Sequence, residues 1–173
     1  VSASSQDERA PGTPAYLHLV QGIKQAGGKV RWHHLIDGQN DRSAWQAYPG
    51  KVIVHFDALE ADTGVVAPVI VHPMSSLWSY RNNGAAVSDE ECQNLRRVQV
   101  RLSRDDPARF KLGVYTLDLQ HAADDPDHLG DVGMVEQARR EALAVLYHEG
   151  TGTLDGNGPE MVAVTKNSAS QLY

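Results

Sequence analysis

The sequence predicts an α+β fold: a mainly antiparallel sheet or sandwich, two amphipathic helices packed on it, and an extended N-terminal arm. Three observations lead there. Between Lys51 and Met74, two β-branched runs flank Ala61-Asp62-Thr63-Gly64, a polar, glycine-ended connection of hairpin length. Val98, Val100 and Leu102 alternate with Arg97, Gln99, Arg101 and Ser103, and a run from Phe110 to Leu119 returns after the turn at Asp105-Asp106-Pro107. Finally, apolar residues recur at helical spacing from Tyr16 to Ala26 and from Val135 to Leu146. At 173 residues, with no internal repeat and one composition regime, the simplest organisation is a polar arm over 1–12 and a single domain over 13–173.

Taken in order, Val1 to Gly12 is Ser-rich and almost free of large apolar side chains, so it needs a surface to lie on, its own domain's or a neighbouring subunit's. Thr13-Pro14 is an N-cap followed by proline at the first helical position, and Gly27-Gly28 ends that helix. Lys29 to Asp37 reads as a strand, with Val30, Trp32, His34 and Ile36 on one side and Arg31, His33 and Leu35 on the other. A turn-rich loop over Asp37 to Asp41 and an aromatic segment around Trp45 and Tyr48 lead to the central hairpin.

In that hairpin a four-residue loop pairs Ala58 with Ala67, Phe56 with Val69 and Val54 with Val71 on an apolar face. Pro68 removes a ladder donor, which marks Val65 to His72 as an edge or bulged strand, and an edge invites pairing with another chain. Ser75 to Val87 carries Leu77, Trp78 and Tyr80 before the turn at Asn82-Asn83-Gly84. Ser88 and Glu91 form a capping box for a short helix through Leu95. Beyond the second strand pair, His121 to Asp131 is an acidic loop. The helix from Val132 should bury the stripe Val135, Ala138, Ala142, Val145 and Leu146, with Glu136 four residues before Arg140 and a stop at Gly150. A glycine-rich loop over Thr151 to Gly158 and a short strand over Met161 to Thr165 complete the chain.

Charge and composition narrow the function. A formal charge of -6 argues against a protein that coats nucleic acid or anionic membrane. No apolar run reaches the ~18 residues a membrane span needs, and the N-terminus lacks the pattern of a secretory signal. The expectation is a soluble protein of the cytoplasm or of a virion. A single cysteine, Cys92, excludes an internal disulfide.

Eight histidines offer metal ligands or bases. The hairpin register places His55, Asp57 and His72 on one face, a two-imidazole, one-carboxylate set of the kind that holds a divalent metal in a hydrolase or oxygenase. Against it stands a solvated face that merely carries polar residues. Of His33 and His34, adjacent on a strand, at most one joins a site. The loop of His121, Asp124, Asp125, Asp127 and His128 has enough ligands for a divalent ion, but a solvated acidic loop is the better account of it. Catalytic templates fail elsewhere. His148-Glu149 lacks a second histidine one turn on, and the loop from Asp155 carries Pro159 where a calcium ligand belongs.

Binding candidates are the basic strand residues Arg97, Arg101 and Arg104 and the aromatics Trp45, Tyr48, Trp78 and Tyr80. Arm, strand edge and basic patch together favour a structural subunit of a larger assembly, such as a phage or virus particle. Its partners would be copies of itself or other subunits, nucleic acid touched only locally, and no cofactor expected. A monomeric protein-binding module built on the aromatics is a further reading.

Overall fold

The computed structural model describes residues 5–36, 38–74, 81–82, 85–86, 89–116, 118–122 and 125–152. In chain order the elements are α1 (Pro14–Gln25), β1 (His33–Leu35), a 3-10 helix (Gln39–Ala44), α2 (Tyr48–Thr63), β2 (Val69–Val71), β3 (Arg81–Asn82), β4 (Ala85–Ala86), α3 (Asp89–Asp105), β5 (Phe110–Leu112), β6 (His121–Ala122), β7 (Asp125–Leu129) and α4 (Asp131–His148). Strands β1, β2 and β5 form a parallel sheet in that order, while β3–β4 and β6–β7 are two-stranded antiparallel ribbons.

The fold is therefore mixed α/β around a parallel sheet, not the antiparallel sheet expected from the sequence. The central hairpin is absent because its first half is α2. Tyr48, Val52, His55, Phe56 and Leu59 are its buried residues, at helical spacing. Pro49 sits in its first turn, and Gly64, at φ 70°, caps its end by donating to the Glu60 carbonyl at 2.8 Å. A dense apolar run satisfies periods of 2 and 3.6 at once, and here the helical caps decide.

The same ambiguity hid α3, which runs on from the expected short helix through the segment read as a basic strand. Cys92, Leu95, Gln99 and Leu102 are buried at three- and four-residue intervals. With both of those segments helical, the strands are joined by helical crossovers, the connection that parallel strands need. Phe110–Leu112 accordingly lies parallel to β2, with Val69 beside Phe110 and Val71 beside Leu112.

Because the strand order follows the chain, crossovers of one hand place α2 and α3 on the same face. Leu35, Val69, Val71 and Phe110 meet α1, α2 and α3 there in one apolar core with Tyr16, Val20, Val52, Phe56, Leu59 and Leu95. Alternation sends His34 and Ile70 to the opposite face. Helix α4 lies on that side: His148 donates from Nε2 to the Leu112 carbonyl at 2.8 Å, and Trp32 donates to Glu149 at 2.9 Å.

Two further expectations change. Pro68 does not mark an edge, since it leads into the central strand and its carbonyl accepts from the His33 amide at 3.0 Å. Residues 5–12 lie on their own domain. The Gln6 amide donates to buried Asp41 at 2.9 Å, Lys51 pairs with Asp7 at 2.8 Å, and His55 donates from Nδ1 to the Arg9 carbonyl at 2.8 Å. Helix α1 begins at its Thr13 cap and ends before Gly27 and Gly28, both at positive φ. The expected strand over Met161 to Thr165 lies outside the described residues.

Candidate functional site

Parallel pairing brings two imidazoles together where the strands end. His34 sits in the middle of β1 and His72 directly follows β2 on the same face, so neighbouring strands present them to one another. His34 Nδ1 and His72 Nε2 are 3.1 Å apart, and the ring planes are 14° from parallel. His72 is 3% exposed, seated against Gly113, where a Cβ would lie 2.6 Å from its Nδ1. The Val114 amide donates to that Nδ1 at 3.2 Å. A neutral His72 then keeps its proton on Nε2 and donates it to His34. Burial, and secondarily His34, pushes the His72 imidazole down to about 3, so it stays uncharged at neutral pH.

Helix α4 supplies the third group. Glu141 Oε2 lies 3.9 Å from His34 Nδ1, and its Oε1 accepts from Gln137 Nε2 at 2.6 Å. One donor atom from each of His34, His72 and Glu141 falls within 4.8 Å of the others. Side-chain exposures of 31% for His34 and 19% for Glu141 leave this side open to solvent. An ion on His72 Nε2 moves the ring proton to Nδ1, against the Val114 N–H. Stranding those donors costs about 1–3 kcal/mol each. The amide would therefore weaken the binding of an ion at His72 Nε2.

The cluster expected at His55, Asp57 and His72 is not assembled as the hairpin register implied. His55 and Asp57 belong to α2, on the other side of the sheet, and residues two apart on a helix do not face each other. His55 is buried edge-on against Tyr16, its imidazole held below the usual range by burial, and it binds the Arg9 carbonyl. Asp57 pairs with Arg109 at 2.7 Å. Only His72 carries over, with His34 and Glu141 as the partners that sequence reasoning missed. A parallel pairing of the His34 and His72 segments would have found the first. No local signal points to Glu141.

The binding residues disperse. Arg97, Arg101 and Arg104 are spaced four and three apart on α3, where they share a solvent-facing side; Arg101 pairs with Asp105 at 3.0 Å. Tyr48 is 0% exposed and accepts from Gln99 in the core, which removes it as a surface contact. Trp45 lines a cavity of about 400 Å³ with Pro49, Ile53, Leu102 and Phe110. Trp78 and Tyr80 lie outside the described residues, as does Asp124 of the acidic loop, while His121 and Asp125 fall in β6 and β7.

Helix α4 is turned inside out relative to its sequence. Glu141 and His148 reach toward the sheet, and Arg140 clamps the segment after β5 by donating to the Tyr115 carbonyl at 2.9 Å and to Asp118 at 2.6 Å. The stripe expected to be buried looks outward: Val135 is 73% exposed, Leu146 is exposed, and Ala138 and Ala142 are exposed between them. Among the described residues no helix is long and apolar enough to cross a membrane. No protein-family model matches the sequence, and no curated protein is significantly similar to it.

Proposed function

We propose that the chain is a structural subunit of a larger assembly made of copies of itself, and that the outer face of α4 is its contact surface. The inverted helix carries this reading. A helix lying on a sheet ordinarily turns its apolar stripe inward, whereas α4 turns Glu141 and His148 inward and Val132, Val135, Leu146 and Tyr147 outward. The arm and strand-edge contacts suggested by the sequence no longer serve, since residues 5–12 cover their own domain and Pro68 enters the central strand. Antiparallel pairing of two α4 helices about a point between Arg140 and Glu141 sets Val135 of one copy level with Leu146 of the other. Ala138 and Ala142 lie near the crossing, small enough for close approach of the backbones.

Each half-exposed Val, Leu or Tyr withdrawn from water contributes about 1 kcal/mol, so four from each copy contribute roughly 8 kcal/mol. Association costs about 4–15 kcal/mol. The balance places a pair in the micromolar range or tighter only when further surface joins the contact. Light scattering of the full chain during size exclusion at high micromolar concentration tests it. The expected mass is a multiple of 18.9 kDa, falling to one chain in the double variant Val135→Glu, Leu146→Glu. A wild-type chain that stays monomeric overturns the reading.

A further inference from the structure

We propose that His34, His72 and Glu141 together bind one divalent transition-metal ion of the zinc type, with solvent completing its coordination. The site is independent of the α4 contact. Its three donors come from three separate elements, β1, the end of β2 and α4, and converge with one atom of each inside 4.8 Å. Two ligands on a tetrahedral ion, each about 2.0–2.1 Å from it, stand roughly 3.3 Å apart. The separations of 3.1 Å between the imidazoles and 3.9 Å from His34 to Glu141 bracket that figure. Coordination requires the side chains to move until all three donors stand about 2.0–2.1 Å from one ion. Two nitrogens and one carboxylate oxygen suit zinc and its first-row neighbours rather than calcium or magnesium, which take oxygen shells.

The surroundings orient the ligands as a site requires. Gln137 holds one Glu141 oxygen and leaves the other aimed at His34, the outer-shell support that ligating carboxylates receive. His72 packs closely on Gly113, where an added Cβ would lie 2.6 Å from its Nδ1, so the backbone there limits how far the ring can turn. Solvent reaches the His34 and Glu141 side, which gives the ion an entry path and a fourth position. Three protein ligands with an open place is the arrangement in which a metal-bound water can react. The Val114 amide and the hydrogen bond from His72 to His34 both oppose loading, and the amide makes a signature: the ion shifts the His72 proton onto Nδ1 and breaks the bond from Val114.

The test uses the full chain, stripped with a chelator and purified without chelating resin. Zinc sulfate is titrated calorimetrically, and bound metal is counted after dialysis. One equivalent per chain is expected, with cobalt(II) giving the intense visible bands of a tetrahedral site. His34→Ala should weaken zinc binding by about a hundredfold or more, and Glu141→Gln by about tenfold or more. His34 and Glu141 are partly exposed, so both variants should fold. His55→Ala, altered on the opposite face, should bind as wild type. In nitrogen-edited NMR spectra the Val114 amide should shift on loading. No stoichiometric uptake by wild type overturns the proposal, and so does uptake that survives in both His34→Ala and Glu141→Gln.

Discussion

Gly113 decides whether His72 has a seat. A methyl group there would lie 2.6 Å from His72 Nδ1 and 2.9 Å from Ile70 Cγ2, and both neighbours are buried in a sheet that cannot yield. Gly113→Ala should therefore destabilise the fold by about 1–3 kcal/mol through overpacking, read as a lower urea midpoint. Gly50→Ala is the control, because its added methyl meets nothing within 4 Å on α2. That exchange should leave the midpoint unchanged or raise it by up to about 0.5 kcal/mol. The contrast between two glycines identical in sequence terms is visible only once the neighbours are known. His72 itself was legible as a candidate, being a histidine that ends a β-branched run. Its partners were not, since proximity across strands depends on their direction.

Elements divide by the strength of their end signals. Helix α1 follows from Thr13-Pro14 and Gly27-Gly28, and the Glu136–Arg140 pair expected on α4 forms at 3.0 Å. Segments rich in apolar residues were legible as buried but not as helix or strand. Val98, Val100 and Leu102 alternate like a strand, yet α3 buries Cys92, Leu95, Arg96, Gln99 and Leu102. Helix α2 also anchors the segment over residues 5–12, for His55 holds the Arg9 carbonyl while Lys51 holds Asp7. His55→Ala should release that segment: trypsin cleavage after Arg9 should quicken by about tenfold or more, with a loss of about 1–3 kcal/mol of global stability. Unchanged cleavage would mean that the remaining contacts, Gln6 to Asp41 among them, hold the segment without the histidine.

For the molecule as a whole, buried histidines set the acid side of the stability curve. His72, His33 and His55 all have imidazoles lowered by burial, His72 to about 3. The unfolded chain binds these protons near pH 6.5 and the folded chain does not, so stability is full above about 6.5 and is lost as pH falls below it. His72 alone should cost about 3 kcal/mol between pH 7 and pH 4.5. Asp41 runs the other way, its carboxyl raised by burial, and Glu136 and Asp118, lowered first by their bonds to arginine, add to the acid loss only nearer their own range. Urea midpoints measured at the two pH values check this. A protein equally stable at both would show that the histidines are not buried neutral.

The amino-acid sequence by itself determined where α1 begins and ends, that a helix runs from near Val132 to Gly150, and that His72 is a candidate ligand. Those features rest on neighbours within a few residues, through caps, glycine conformations and local apolar density. Local end signals, Pro49 and Gly64, favour α2 as a helix over half a hairpin, whereas tertiary structure alone decided that the sheet is parallel and that α4 faces its polar side inward. Each of those outcomes depends on contacts between residues far apart in the chain: Val69 pairing with both His33 and Phe110 across helical crossovers, Arg140 reaching Asp118 and Tyr115, and Glu141 meeting a histidine more than a hundred residues earlier.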